Sequence, residues 1–232
     1  MEHKYSFGII GGMGPLATLE LQTRILNYTK ATTDQDHINY CVVNIPKAPD
    51  RSDALKDPKK TKIIQKYLSK AINDMHKVGC KYFAVPCNTV HHFIDKSIIP
   101  QNMTFIDMIK ATKDYISKNH PGEHIIILGT DGNKAMHQYE NIQGVQVHYP
   151  KDALQQSIVD IIYDVKKGIL NEDVLSKFDK TLKDIKQDMF DDPIFIIACT
   201  ELSLFSNTMK TKYNLIDPMD VLVHKLIDIS KL

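Results

Sequence analysis

The sequence predicts an α/β fold with two similar domains, each built on a mostly parallel sheet. Short apolar runs alternate with longer amphipathic stretches, an order that is typical of parallel sheets with helical crossovers. A glycine-rich turn follows an apolar run at residues 11–14 and again at residues 129–132. An apolar run also ends in a cysteine twice, at Cys87 and at Cys199. We therefore interpret the chain as two rounds of one strand and helix order.

The first round occupies the residues before 103. Strands are predicted over residues 5–10, over residues 39–45 and in the run that ends at Val85, because each is a short apolar run between turn residues. Helices are predicted after the first glycine turn and over residues 61–78, where apolar side chains recur at helical spacing. Gly79 then ends the second of these helices.

The second round repeats the same order. Its predicted strands cover residues 125–128, 145–149 and 194–197, and its predicted helices cover residues 134–140, 155–167 and 171–188. A last strand and a last helix are predicted at residues 215–216 and 219–229. We predict a first domain of residues 1–102 and 215–232, which carries Cys87, and a second domain of residues 103–214, which carries Cys199. Such a duplication would place equivalent sites on opposite walls of one interdomain cleft.

Composition excludes several classes of partner. The 232 residues are 43% hydrophobic and 25% charged, which is ordinary for a globular protein. The formal net charge is +1 and the lysines are scattered, so no basic patch indicates nucleic acid. No apolar run approaches the roughly 20 residues that span a bilayer, and the polar N-terminus lacks a signal-peptide pattern. The sequence predicts a cytoplasmic protein without nucleic acid or membrane partners.

The four cysteines fall into two groups. They are too few and too scattered for a disulfide framework, and no CxxC spacing indicates zinc. Cys41 and Cys80 lie beside apolar residues and are interpreted as small buried hydrophobes. Only Cys87 and Cys199 share a context, and burial is the alternative interpretation for them as well.

Cys87 and Cys199 each follow the carboxyl end of a predicted strand, which is where open α/β sheets bind ligands. Asn88, Thr89 and Thr200 are suited to cap a helix that starts directly after each cysteine. A thiol at a helix N-terminus is stabilised as the thiolate. Two thiols that face each other across a cleft would remove a proton from one face of a carbon and return one to the other face. The result would be inversion of a stereocentre.

Two further elements are candidates for substrate binding. The first glycine turn contains Met13 and leads into a helix, an arrangement that binds phosphate or carboxylate, although a tight turn without a ligand is the alternative. The chain has two arginines, and Arg24 lies on the first helix, where we expect it to be solvated. Arg51 lies in a stiff proline-containing loop, where its guanidinium would bind a carboxylate through two parallel hydrogen bonds. The alternative is a surface arginine paired with Asp50 or Asp53.

His91 follows Cys87 by one helical turn. It would support Cys87 or cap a neighbouring element, and a core or surface histidine is a more common outcome than a proton carrier.

Six short segments together resemble the aspartate/glutamate racemase family, over residues 5 to the C-terminus. These segments are GIIGGMGPLAT (8–18), DQDH (34–37), PDR (49–51), PCNT (86–89) with His91, CTE (199–201) and IDPMDV (216–221). The resemblance implies two similar Rossmann-like domains that are related by a pseudo-twofold axis, with the active site in the cleft between them. It also implies a homodimer, a small dicarboxylic amino-acid substrate and no pyridoxal phosphate or other cofactor.

The same resemblance implies roles for individual residues. Cys87 and Cys199 would be the two acid/base residues, and Arg51 and Lys166 would bind the carboxylates. From the residues themselves, we expect the turn at Met13 and the amides near Asn88 and Thr200 to hold the α-carboxylate and the charged intermediate, together with the Thr89 and Thr200 hydroxyls. The spacing alone leaves Lys167 open as the alternative to Lys166, and periodicity alone would make both lysines a solvated helix end.

Departures from the family pattern bear on the substrate. The turn at residues 130–133 carries Asp131 where the family is richer in hydroxyls, and this would weaken or redirect substrate binding. Ala198 replaces a glycine that often precedes the second cysteine. Gly11 and Gly12 stand where the glutamate branch has Asp-Ser, which favours the aspartate branch. A related racemase of another small acid and a catalytically silent binding protein are the alternative functions.

Overall fold

The computed structural model describes residues 5–231, and within them the chain forms two compact α/β units. The first unit comprises the residues up to Ala111 and those from Met219 onward, and the second comprises Thr112–Pro218. No helix in the described part of the chain is long and apolar enough to cross a membrane.

The elements follow the predicted order closely. The strands are β1 (Phe7–Gly11), β2 (Tyr40–Asn44), β3 (Tyr82–Ala84), β4 (Thr104–Phe105), β5 (His124–Leu128), β6 (Gln146–His148), β7 (Ile194–Ile197) and β8 (Leu215–Ile216). The α-helices are α1 (Pro15–Tyr28), α2 (Arg51–Ala54), α3 (Pro58–Lys77), α4 (Met108–Asn119), α5 (Asp131–Ala135), α6 (Asp152–Lys166), α7 (Glu172–Met189), α8 (Ser206–Met209) and α9 (Pro218–Ser230). Short 3-10 helices cover Asp34–Asp36, Thr89–Phe93, Lys96–Ile98 and Leu202–Phe205.

Both sheets have the same topology. The strand order is β2-β1-β3-β4 in the first unit and β6-β5-β7-β8 in the second, and every pairing is parallel. The third strand of each unit in sequence, β3 or β7, lies beside the first and leads into a cysteine. The structure therefore confirms the predicted fold class of two mostly parallel α/β sheets.

The core of the first unit lies on both faces of its sheet, because successive side chains of a strand point to opposite faces. One face packs on α3, whose buried residues recur at helical spacing. These residues are Ile10, Phe83 and Val85 from the strand regions and Ile64, Leu68, Ile72 and Met75 from α3. The other face packs on α1 and α9, through Phe7, Ile9, Leu21, Ile25, Leu222 and Leu226.

Arg24 corrects a prediction. Its side chain is only 2% exposed, and it pairs with Glu20 at 2.7 Å and with Asp220 at 2.8 Å. The expectation of a solvated arginine was wrong because Asp220 lies on α9, far away in sequence. Since α1 and α9 pack on the same sheet face, the pair joins two helices of the first unit.

The core of the second unit is formed by the faces of β5 and β7 that pack on α6 and α7. Its buried members include Ile126, Leu128, Phe195, Ile197, Ile158, Ile162, Phe178 and Leu182.

The observed units differ from the predicted boundaries at two places. β4 pairs with β3, so it belongs to the first sheet, and β8 pairs with β7, so it belongs to the second. Strands of two residues carry no periodicity, and only their pairing assigns them.

Candidate active site

The first glycine turn is organised by Thr18. The Gly12 N–H donates to Thr18 Oγ1 at 2.9 Å, and that hydroxyl donates to the Gly14 carbonyl at 3.0 Å. Gly12 has a φ of +91°, and a Cβ there would lie 2.7 Å from the backbone nitrogen of Pro46. The Met13 side chain is buried in the core, so the predicted role of Met13 in binding would fall to the backbone of this turn. Sequence reasoning gave Thr18 no role of its own.

Cys87 follows β3 at the carboxyl edge of the first sheet. Its side chain lies with the buried core and is 8% exposed. Asn88 and Thr89 after it are also buried. The segment that follows is the short 3-10 helix Thr89–Phe93 rather than an α-helix that Asn88 or Thr89 caps.

His91 supports the backbone of Cys87. Its Nδ1 lies 2.8 Å from the Cys87 carbonyl oxygen. Because a carbonyl only accepts, Nδ1 carries a hydrogen in this contact, and Nε2 lies 3.8 Å from Asp107 Oδ1. Burial lowers the pKa of His91, against the opposing effect of the Asp107 carboxylate. A neutral imidazole that holds the main chain fits the supporting role that the sequence left open.

Cys199 occupies the equivalent place after β7 in the second unit. Its Sγ donates to Glu201 Oε2 at 3.0 Å, and both side chains are buried. Thr200 between them is buried as well. A carboxylate acceptor beside a thiol favours the protonated sulfur. Glu201 belongs to the CTE segment, but the sequence analysis assigned it no role. Its position two residues after Cys199 was the one feature that could have indicated a contact with the thiol.

The helices after both cysteines differ from the prediction. The segment after Cys199 is the 3-10 helix Leu202–Phe205, followed by the single turn of α8. A one-turn helix has too few aligned peptides for the dipole effect predicted from the sequence. At Cys199 the sulfur instead contacts the Glu201 carboxylate, which opposes ionisation of the thiol where a helix terminus would favour it.

The second glycine turn has its own support. Thr130 and Asn133 form a reciprocal cap at the start of α5. Gln155 Nε2 donates both to the Gly129 carbonyl and to Asp131 Oδ1, each at 3.0 Å. Asp131 itself is exposed at the carboxyl end of β5, next to the strand that leads into Cys199. Gln155 was missed because it lies on the first turn of α6, more than 20 residues away in sequence.

Arg51 is the first residue of α2, in the loop after β2. Asp50 caps this helix through the Ser52 and Asp53 amides, and the Asp53 carboxylate pairs with Lys60 at 2.9 Å. Arg51 Nη1 donates to the Pro49 carbonyl at 3.4 Å.

The two candidate lysines differ. Lys166 ends α6 with its Nζ 4.7 Å from the ring centre of Tyr163. Lys167 is exposed and its Nζ lies 3.4 Å from Asp164 Oδ1.

The predicted site residues fall into two groups, one in each unit. Met13, Cys87, Asn88, Thr89 and Arg51 all follow strands of the first sheet at its carboxyl edge. Cys199 and Thr200 hold the equivalent place in the second unit, and Lys166 lies at the end of α6. Among residues 5–231, no cluster of three or more His, Cys, Asp or Glu side chains forms a set of metal ligands.

Two parallel sheets of the same strand order, each with a cysteine after its third strand, define a duplicated α/β protein with one cysteine loop per unit. Residues 10–226 match the family of Asp/Glu/Hydantoin racemases. The chain therefore belongs to the Asp/Glu/hydantoin racemase family, and it is an enzyme of the isomerase class.

Individual relatives agree with this assignment. The broad-specificity amino-acid racemase RacX of Bacillus subtilis is 24% identical over 221 residues, which are 90% of this chain and 91% of that protein. The aspartate racemase of Picrophilus torridus superposes with a TM-score of 0.82 at 23% identity, covering 97% and 94% of the two chains. An aspartate racemase homologue from Pyrococcus horikoshii reaches a TM-score of 0.74 at 20% identity, covering 97% and 99%. At these identities the structural likeness shows the fold.

Proposed function

We propose that the protein interconverts L- and D-aspartate, with glutamate as a second substrate, through a two-base mechanism that needs no cofactor. The observation that carries the proposal is the equivalent placement of Cys87 and Cys199, each directly after the third strand of its unit and each at a sheet edge that binds ligands. A two-base racemase needs one acid/base group on each face of the stereocentre, and a duplicated fold can supply the two groups from corresponding positions.

The reaction uses one thiolate and one thiol. The thiolate removes the α-hydrogen of aspartate, and the opposite thiol delivers its own proton to the other face of the same carbon. The sulfur that started as thiolate ends as thiol and the other ends as thiolate, so the enzyme that leaves one turnover is set for the reverse direction. The Glu201 hydrogen bond supports a resting state with the proton on Cys199, and in that state the two-base mechanism requires Cys87 to be the thiolate.

Binding groups are proposed from both units. Arg51 and Lys166 would each bind a substrate carboxylate, the former through its two parallel N–H groups. Lys166 is preferred to Lys167 because Lys167 is exposed and paired with Asp164. The backbone of the turn at Met13 and the amides near Asn88 and Thr200 would stabilise the charge that develops on the deprotonated substrate, together with the Thr89 hydroxyl.

A broader substrate range is the second candidate function. The Bacillus subtilis relative is a broad-specificity racemase. Asp131 also places a carboxylate at the edge where an acidic substrate would lie. A site with that carboxylate would accept small amino acids whose side chains carry no negative charge. We further propose, from the family resemblance, a cytoplasmic homodimer, and sedimentation of the purified protein would measure its assembly.

Hydrogen exchange at the α-carbon tests the function. Purified protein is incubated in heavy water with L-aspartate and, separately, with D-aspartate, and NMR follows the loss of the α-proton while chiral chromatography follows inversion. We expect exchange and inversion with both enantiomers without added pyridoxal phosphate. Glutamate, alanine and lysine are run in parallel to define the range. A silent binding protein would give no exchange with any of them, and that result would overturn the proposal.

A further inference from the structure

A second pair of thiols lies in the first unit, apart from the proposed catalytic residues. Cys41 Sγ on β2 and Cys80 Sγ, in the segment between α3 and β3, are 3.2 Å apart. The β1 residue that pairs with Cys41 is Gly8. A disulfide needs about 2.05 Å between its sulfurs, so a closure of about 1.2 Å would join them.

The two thiols differ in access and in acidity. Cys41 is partly exposed, whereas Cys80 is 2% exposed. The hydrogen bond from the Cys80 thiol lowers the pKa of Cys41, and the same contact together with burial raises the pKa of Cys80. Cys41 is therefore the sulfur that ionises and that a solute reaches first.

We propose that Cys41 and Cys80 form a reversible disulfide when the protein meets a low-molecular-weight disulfide such as glutathione disulfide. The sequence alone treats both residues as small hydrophobes, and the contact between their sulfurs is what changes that interpretation. The disulfide would join β2 to the segment ahead of β3, across the strand between them.

The chemistry is ordinary thiol–disulfide exchange. The Cys41 thiolate attacks one sulfur of glutathione disulfide, a mixed disulfide forms on Cys41, and one glutathione leaves. With Cys41 blocked, Cys80 no longer donates to a thiolate, so it loses its proton to solvent more readily. Its sulfur then attacks Cys41 and displaces the second glutathione. Two protein thiols and one glutathione disulfide thus become one protein disulfide and two glutathiones.

Peptide mapping of the full chain tests this site. Protein oxidised with glutathione disulfide is quenched with iodoacetamide, digested with trypsin without reduction and analysed by mass spectrometry. Trypsin separates the four cysteines, because they fall in peptides 31–47, 78–81, 82–96 and 187–210. We expect peptides 31–47 and 78–81 to appear as one linked species that dithiothreitol separates.

The single serine variants check the order of attack. Cys80→Ser should leave peptide 31–47 as a stable glutathione adduct, whereas Cys41→Ser should leave peptide 78–81 as the free thiol, because Cys80 is buried. Iodoacetamide should also modify Cys41 at least about tenfold faster than Cys80 in the wild-type protein. Adducts on both peptides without a linked species would overturn the proposal, as would two unmodified thiols. Because the readout is the peptide and not turnover, failure of the racemase proposal would leave this result unaffected.

Discussion

The two units support their cysteines with different groups. In the first unit the imidazole of His91 binds the main chain of Cys87, and in the second unit the carboxylate of Glu201 binds the thiol of Cys199 itself. The first contact fixes the path of the backbone, whereas the second also favours one protonation state of the sulfur. The cysteine therefore holds the same place in both units, whereas the contact that supports it differs: a main-chain contact in the first unit and a contact to the sulfur in the second.

The glycine turns show the same contrast. A single hydroxyl, that of Thr18, bridges the first turn, and Gly12 adopts a conformation that suits glycine. The second turn is held by the Thr130 and Asn133 cap and by Gln155 from another helix. The first turn depends on a close approach of bare backbone, and the second depends on side chains.

The largest expected effect is the loss of racemisation when either cysteine is replaced. Cys87→Ser and Cys199→Ser should each lower racemisation by about 10²–10⁴-fold, because a serine hydroxyl does not ionise near neutral pH. Each variant should still exchange the α-hydrogen of one enantiomer of aspartate, and the two variants should favour opposite enantiomers. Cys41→Ser is the control and should keep full turnover. Wild-type turnover in either catalytic variant would reject the two-base assignment.

The next comparison is between one cation from each unit. Arg51→Ala should raise KM for aspartate by about 10–100-fold, because a charged hydrogen bond is worth about 1.5–3 kcal/mol. Activity toward alanine should change less, since alanine has no second carboxylate. Lys166→Ala should show a similar selective loss, and Lys167→Ala should not. Steady-state kinetics on both substrates measure the difference, and equal losses on aspartate and alanine would make Arg51 structural.

Gly12→Ala tests the close approach in the first turn. We expect a loss of about 3 kcal/mol in the free energy of unfolding, from left-handed backbone strain and from the clash with the backbone near Pro46. Gly122→Ala is the matched control, because Gly122 has a φ of +87° but open space around its Cβ position. It should cost only about 1–2 kcal/mol. Urea unfolding followed by circular dichroism measures both, and equal costs would mean that crowding at Gly12 is relieved.

Glu201→Gln tests the proton on Cys199. Turnover should fall by about tenfold. Its pH profile should move to lower pH, because removing an anion beside a thiol makes the thiol easier to ionise. Glu201→Asp should restore the wild-type pH profile in part. His91→Asn keeps a donor for the Cys87 carbonyl and should change turnover without moving the profile. If Glu201→Gln left the pH profile of turnover unchanged, the role of Glu201 would be limited to packing.

The smallest effect concerns a histidine pair of the second unit. His124 Nδ1 lies 3.1 Å from His148 Nε2, and burial together with His124 lowers the pKa of His148 from its ordinary 6.5. The unfolded chain then binds more protons at this residue between its folded pKa and 6.5, so the free energy of unfolding falls as the pH drops through that window. We expect a change below about 1 kcal/mol.

His148→Gln isolates the contribution of this histidine to the pH dependence of the free energy of unfolding. Urea unfolding at pH 7.5 and 5.5 should show a smaller loss of stability in the variant than in the wild-type protein. If the variant showed the same pH dependence as the wild type, His148 would not contribute to the pH dependence of the free energy of unfolding.

Sequence reasoning was strongest where a signal is local. Apolar runs and glycine turns located β1, β5 and β7, and the cysteine segments led to the family. It was weakest where the partner is distant in sequence. Arg24 looks like a surface residue of α1 until Asp220 is placed beside it.

Two further contacts show the same limit. Gln155 has no local feature that connects it with Gly129, and the contact between Cys41 and Cys80 arises because β2 and β3 flank β1. Cap residues mark where a helix begins but not how long it continues, so they did not show that the elements after both cysteines are short 3-10 helices.

The placement of α9 has a consequence for how the chain matures. This helix covers part of the sheet face that contains Phe7 and Ile9, yet it is encoded after the whole second unit. On the ribosome the strands of the first unit therefore emerge before α9 and keep part of that apolar face uncovered until α9 has been synthesised. The second unit is one uninterrupted segment and can close as soon as it clears the exit tunnel. The half that is synthesised first is thus the half that completes its folding last.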